Sequence, residues 1–379
     1  MCRGMKRATA SARGPNVGTS SRTLGARAGV DLPVAGDGSV EPETGGMSVS
    51  PSPPENLPSF RRPERHGGTG RDPVYEIETD ALPFGLVYRP NPDSPDTHGF
   101  IDPLTRDSRR RHMTPVTSKD GTKIAYDRQG DGPAIILVGG ALDDGSENAP
   151  LAPKLAGHFA VYNYARRGRG DSGDTAPYAV EREIEDLQAL ITEAGGSAHV
   201  FGASSGGALA LEAAAAGLAI DRLAVYEVPY NMDNDGPHWN RGDVPEVEGL
   251  LAEGRRGDVV ELFMRTVGSS EEDIAGAKGS PFWPALEALA HTLAYDAACV
   301  GDGPPPTARL AKITQPTLVA TGGGTPDSHA AGLPAGFMDR AADAIASSLP
   351  QAERRIIEGG GHMVDANVVA PVLERFFRD

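Results

Sequence analysis

The sequence predicts an α/β protein built on a mostly parallel central sheet with helices on both faces. Three observations carry that prediction. Over residues 113–379 short apolar runs alternate with stretches of helical periodicity. A G-x-S-x-G sequence stands where one such run passes into a helix. An interval at about 230–314 has no strand pattern and reads as a helical lid inserted between two strands.

Composition sets the outer bounds. The chain has 379 residues, 39% hydrophobic and 23% charged, as in an ordinary globular protein. Its net charge of −16 argues against nucleic acid or an anionic membrane surface as a partner. No apolar run approaches the roughly 18 residues that a spanning helix needs. Two cysteines, Cys2 and Cys299, cannot build a disulfide framework or a four-cysteine zinc site. The expectation is an acidic cytoplasmic protein.

The charge and the prolines divide the chain. Residues 1–112 carry a net charge of +1 and the remainder −17, and the same 112 residues hold 14 of the 32 prolines. Segments such as Ser50–Pro54 and His66–Gly70 have no periodicity. A stretch of this kind buries too little apolar surface to offset its ordering entropy, so 1–112 reads as a disordered extension. Its first thirty residues hold six basic residues and no acid. They lack the apolar centre of a secretory signal and the amphipathicity of a transit peptide. Met113 stands where folded sequence is expected to begin.

From there the elements follow in order. Thr122–Arg128, Ala134–Gly139 and Phe159–Tyr164 read as strands, the second apolar throughout. Val180–Ala194 places Ile184, Leu187, Leu190 and Ile191 at helical spacing, with Gly195-Gly196 as the stop. Ala198–Ala203 is a strand, Gly206–Gly217 an Ala-rich helix, and Leu223–Val228 a strand. Val244–Arg255, Val259–Val267 and Pro284–Ala298 are helical patterns in the lid. Pro316–Thr321 and Arg354–Glu358 are later strands, with helices at Phe337–Ser348 and Ala370–Phe377.

Gly202-Ala203-Ser204-Ser205-Gly206 lies at the junction of strand and helix. Small flanking residues allow the sharp turn that would expose the Ser204 hydroxyl, and the helix amino end behind it favours developing negative charge. Ser205, flanked at the same offsets by Ala203 and Gly207, competes for the register, but Gly202 favours Ser204. Gly139-Gly140-Ala141 follows the second strand above, and Arg166-Arg167-Gly168-Arg169-Gly170-Asp171-Ser172 follows the third. With these motifs in this order, Met113–Asp379 resembles the α/β-hydrolase superfamily, most closely its actinobacterial-type members with a G-x-S-S-G elbow. The resemblance implies a serine nucleophile at Ser204 and a histidine late in the chain.

Of nine histidines only His362 lies in a glycine-rich loop after the last strand, where an imidazole could act as general base. His199 lies on the strand before the elbow and reads as structural. No pair among His238, His291 and His329 has metal spacing. The acid is less plain. Relatives place an Asp in a G-x-x-D turn, but the sequence here is Gly322-Gly323-Gly324-Thr325. Asp327 is two residues on, in a Gly/Pro/Ser loop. Glu227 ends the strand Leu223–Val228, and some superfamily members carry the acid there. A carboxylate at the end of a buried strand needs a partner, which favours Glu227, with Asp327 as the alternative.

By motif position the resemblance takes the two oxyanion donors from the backbone N–H groups of Ala141 and Ser205. Many relatives have a histidine where this chain has Gly139. Asp143 and Asp144 either line the entrance to the site or, as favoured, are solvated loop acids, and the arginine run reads as structural support. Tyr230, Trp239, Phe282 and Trp283 either suit a small or medium apolar substrate or pack the lid. No cofactor motif occurs, and Gly322–Gly324 lacks the context of a phosphate loop. The reading is a serine hydrolase of a small or medium carboxylic ester or related acyl substrate. The alternatives are a binding protein of the same fold without efficient chemistry, or a specialised natural-product enzyme.

Overall fold

The computed structural model describes residues 114–233, 239–280, 282–324 and 332–378 throughout. Before them it describes five strands, at residues 21–24, 47–51, 75–78, 86–90 and 99–103. The chain divides into two units, Met1–Arg111 and His112–Asp379. In the first, β1 (Ser21–Leu24), β2 (Met47–Pro51), β3 (Tyr75–Glu78), β4 (Leu86–Pro90) and β5 (Gly99–Pro103) pair antiparallel in the order β3-β1-β2-β5-β4. The rest of the stretch read from sequence as a disordered extension lies outside the described residues.

The second unit is an eight-stranded sheet. Its strands are β6 (Thr114–Thr117), β7 (Lys123–Gln129), β8 (Ala134–Val138), β9 (Ala160–Tyr164), β10 (Ala198–Ala203), β11 (Ile220–Tyr226), β12 (Thr317–Gly322) and β13 (Ala352–Ile357). They lie in the order β13-β12-β11-β10-β8-β9-β7-β6. Only the pairs β6–β7 and β7–β9 are antiparallel. The central strands are apolar at consecutive positions because both faces are covered. All five residues of β8 are buried: Ile136 and Val138 join the core on one face, Ile135 and Leu137 that on the other.

Helix α1 (Ala152–Leu155) and the last helix, α11 (Ala366–Arg378), cover the second face. The first is covered by α2 (Val180–Glu193), α3 (Ser205–Ala215) and α10 (Phe337–Ser348). The α3 sequence SGGALALEAAA lacks an apolar stripe because the helix is buried nearly all round, and its small residues allow close packing on β10 and β11. Between β11 and β12 lie α4 (Val244–Ala252), α5 (Arg256–Thr266), α6 (Glu271–Lys278), α7 (Trp283–Leu289), α8 (Leu293–Val300) and the short α9 (Thr307–Leu310). The single periodic stretch Pro284–Ala298 is thus two helices, joined by a 3₁₀ turn at Ala290–Thr292. Among the described residues no helix is long and apolar enough to cross a membrane.

The strand order places the site. The chain leaves β8 for β9 on one side and then returns to β10 on the other. Open α/β sheets bind ligands at the carboxyl ends of strands beside such a switch point. There the loop after β8 meets the loop after β10: a Cβ built on Gly140 would lie 3.1 Å from the Ser204 Cβ.

Candidate active site

Parallel register sets the level of the site. Ala203 pairs with Tyr226, and Tyr226 with Ala320. The residues that follow, Ser204 and Glu227, therefore emerge at one edge of the sheet. Each is fixed to its neighbouring strand: Ser204 N donates to Tyr226 O at 2.8 Å and Glu227 N to Ala320 O at 3.0 Å.

Three non-glycine residues have positive φ among the described residues, and all belong to this region. They are Leu142 at 58°, Ser204 at 52° and Glu227 at 52°. Such conformations cost about 1–3 kcal/mol each and persist where the surroundings hold them. For Ser204 the holding is plain. The glycines on either side permit the turn, since a Cβ on Gly202 would meet Gly206 O at 2.5 Å and one on Gly206 would meet Gly139 O at 2.4 Å. The stored strain gives a test. Ser204→Gly and Ser204→Ala both lack the hydroxyl but differ in tolerance of this backbone. Ser204→Gly is expected to be the more stable by about 1 kcal/mol in denaturant unfolding, after glycine's entropic cost. Equal stability of the two would remove strain from the account.

The two serines of the elbow differ in burial. Ser205 is 3% exposed, and its hydroxyl donates to Asp296 Oδ1 at 2.7 Å. Ser204, half-buried, is the residue at the turn.

His362 follows β13 through Gly359–Gly361, and this loop is pinned. The Tyr226 hydroxyl donates to Gly361 O, and Gly324 N donates to Gly360 O at 2.8 Å. The Gly322–Gly324 run thus serves as a close neighbour of the histidine loop. Gly322 N also donates to Glu227 Oε1 at 2.7 Å, while Glu227 Oε2 stands 3.3 Å from His362 Nδ1. Glu227 is buried, and no arginine pairs with it among the described residues. The structure brings Glu227 and His362 together. Ser204 stands at the neighbouring strand end, and no hydrogen bond joins its hydroxyl to His362 among the described residues. Asp327 and Thr325 lie outside the described residues.

Asp143 corrects the sequence reading, which takes it as a solvated loop acid. It is 7% exposed, and its Oδ1 accepts from Gly145 N at 2.8 Å and Glu147 N at 2.9 Å. Its other oxygen lies 1.9 Å from where a Cβ on Gly139 would stand. The carboxylate thus occupies the place of a side chain at position 139, which explains the glycine there. Burial pushes the Asp143 carboxyl above its ordinary value, and the Asp144 charge adds to this. A group whose pKa is raised by folding contributes stability below its unfolded pKa and loses it as pH rises through the folded value. Asp143→Asn, which keeps the Oδ1 acceptor, is therefore expected to raise Tm at pH 7–8. The gain should vanish as pH falls to about 4, near the ordinary Asp value. A pH-independent difference in thermal melts would contradict this.

The arginine run is buried, with Arg166, Arg167 and Arg169 each at most 2% exposed. Arg166 forms a forked pair with Glu183 at 2.7 and 2.8 Å, and Arg167 one with Asp186 at 2.7 and 2.8 Å. Burial alone would raise the Glu183 carboxyl, but the Arg166 charge and hydrogen bonds outweigh it and hold the group below its ordinary value. Burial pushes the Cys299 thiol up to about 12, so it is no thiolate nucleophile at neutral pH.

Trp239 and Trp283 are buried in the core of the helical insertion, with Trp239 edge-on to Phe263 at 5.2 Å; Ala141 and Leu142 pack against that core. His199 stacks on Phe377 at 4.9 Å and is structural. Among the described residues no His/Cys/Asp/Glu cluster could hold a metal. A cavity of about 730 Å³ is lined by Tyr178, Ile184, Val244, Tyr295 and Cys299, and Ser204, Glu227 and His362 do not line it.

A mixed eight-stranded sheet with a strained serine at its central switch point, and a buried carboxylate after β11 paired with a histidine from the loop after β13, defines a hydrolase of the α/β type. The chain belongs to the alpha/beta hydrolase family, whose pattern it matches over residues 135–371. It is 49% identical to an alpha/beta hydrolase of Sphaerobacter thermophilus, covering 70% of this chain and all of that one, with a TM-score of 0.63. It is 29% identical to the pimeloyl-[acyl-carrier protein] methyl ester esterase of Xanthomonas campestris over 65% of this chain and 96% of that protein. It is 34% identical to the uncharacterized hydrolase YraK of Bacillus subtilis over 96 residues, and spans 35% of that protein's length.

Proposed function

We propose that the protein hydrolyses a carboxylic ester or related acyl compound through an acyl-enzyme on Ser204. The observation that carries this reading is the Glu227–His362 pair, 3.3 Å apart, beside the strained turn at Ser204. In the proposed reaction His362 takes the Ser204 proton as the hydroxyl oxygen attacks the substrate carbonyl. Glu227 stays ionised and accepts a hydrogen bond from the Nδ1–H, which fixes the imidazole tautomer and stabilises the imidazolium. The oxyanion is met by the backbone N–H groups of Ala141 and Ser205. His362 returns its proton to the departing alkoxide, leaving the acyl group on Ser204. Water then attacks that acyl group with His362 as base, and collapse of the tetrahedral species breaks the bond to Ser204 Oγ, which regains a proton from His362 as the carboxylic acid leaves. The similarity to a methyl ester esterase supports an ester as the substrate class.

Hydrolysis of p-nitrophenyl acetate and butyrate by the full chain tests the reading. Saturable release of p-nitrophenolate is expected. No turnover with an intact circular-dichroism spectrum would overturn it and favour a binding protein of this fold or an enzyme restricted to a specialised substrate.

A further inference from the structure

Asp296 lies in α8, outside the sheet, and is 1% exposed. Its Oδ1 accepts three hydrogen bonds of 2.7 Å, from Ser205 Oγ, Arg166 Nη1 and Arg169 Nη2. Arg169 reaches onward, donating from Nη1 to Gly140 O and, at 3.5 Å, to Asp143 O. Arg166 Nη1 lies 3.4 Å from both Gly139 O and Ser205 Oγ. One carboxylate oxygen is therefore tied to both loops that meet at the switch point.

What it ties is specific. Gly140 C=O and Ala141 N–H belong to the same peptide unit. In a planar trans peptide they point in opposite directions, so holding the carbonyl fixes the direction of the N–H. On the other side, the bond to Ser205 Oγ holds the residue whose backbone N–H is the second proposed donor. We infer that Asp296 is a positioning residue for the oxyanion site: it orients the Ala141 N–H through Arg169 and the Ser205 N–H through the Ser205 hydroxyl. This rests on the serine-hydrolase reading. Donors held in place before reaction stabilise the developing charge without reorganising, so their displacement is felt in the transition state more than in substrate binding. Arg166 and Arg169 thereby gain a task beyond cementing their loop, and a helix of the insertion supports the oxyanion site.

Two variants of the full chain test it: Asp296→Asn, and Ser205→Ala, which keeps the backbone N–H. In each, kcat for p-nitrophenyl butyrate is expected to fall about 10- to 100-fold with KM within twofold, somewhat less than the loss of a whole oxyanion donor. Affinity for a trifluoromethyl ketone, which forms a tetrahedral adduct, should fall in proportion to kcat. Arg167→Lys is the comparison. Arg167 is as deeply buried and pairs with Asp186 and Asp120, but bonds to neither loop. It should lower Tm and leave kcat unchanged.

If Asp296→Asn does not fold, Ser205→Ala carries the test alone. Folded variants with the parent's kcat and ketone affinity would overturn the inference while leaving the serine-hydrolase reading intact. An equal loss of kcat in Arg167→Lys would also overturn it, reducing the effect to general stability. A parent without turnover and without ketone binding would overturn both.

Discussion

Ser204→Ala is expected to lower p-nitrophenyl butyrate hydrolysis by about 10⁴-fold or more, since a serine and its base act as a unit. The fold should survive. The side chain is half-buried at a turn, and the backbone bond from Ser204 N to Tyr226 O does not need the hydroxyl. The direction of the loss is diagnostic. Removing a nucleophile abolishes the chemical step, so a trifluoromethyl ketone should no longer form its adduct, whereas a ground-state ligand should still bind. Retained turnover in a folded Ser204→Ala protein would show that the strained turn serves something other than nucleophilic attack.

The second large effect is expected at Glu227. Glu227→Gln should reduce kcat by about 10³- to 10⁴-fold, the scale on which an uncharged amide fails to orient the base or stabilise its cation. The carboxylate has two tasks in this geometry. One oxygen accepts the Gly322 N–H and the other faces His362 Nδ1, so the side chain is held from one side and acts on the other. Gln can keep the first bond, which makes the substitution a test of charge and tautomer rather than of folding. Asp327→Asn is the companion variant and should leave kcat within about twofold, as expected of a residue with no part in the reaction. The reverse pattern, with Glu227→Gln active and Asp327→Asn inactive, would move the acid to Asp327.

How much of this was legible in sequence differs by element. The α3 helix and the apolar strands were legible from composition and length: the Ala-Ile-Ile-Leu-Val run of β8 is short, rich in β-branched residues and bounded by Pro133 and Gly139-Gly140, which favours a strand covered on both faces over a buried helix. Elements with weak patterns were not. β6 is a short edge strand with one buried residue in four, and α6 shows only Ile274 as a buried position. The split of Pro284–Ala298 into α7 and α8 was hidden because helical spacing persists through the intervening turn.

At the site, Ser204 was legible from flanking glycines and Glu227 from the cost of an unpaired carboxylate at a buried strand end. Asp143 and Asp296 were not. Asp143 is one acid among several in a polar loop, and its burial depends on the missing side chain at Gly139. Asp296 lies 91 residues from Ser205, and nothing local in Ala294-Tyr295-Asp296-Ala297 signals that its partners come from the loops after β9 and β10. Isolated buried charges declare themselves only when the fold supplies the opposite charge, and the arginine run did so here across more than 120 residues.

The most direct measurement is to treat the full chain with a fluorophosphonate and map the adduct by peptide mass spectrometry. Such reagents report a serine made nucleophilic by a neighbouring base. One adduct is expected, on Ser204, formed far more slowly when Glu227→Gln or His362→Ala is introduced. A folded protein that takes no adduct, or takes it on a residue other than Ser204, would contradict it.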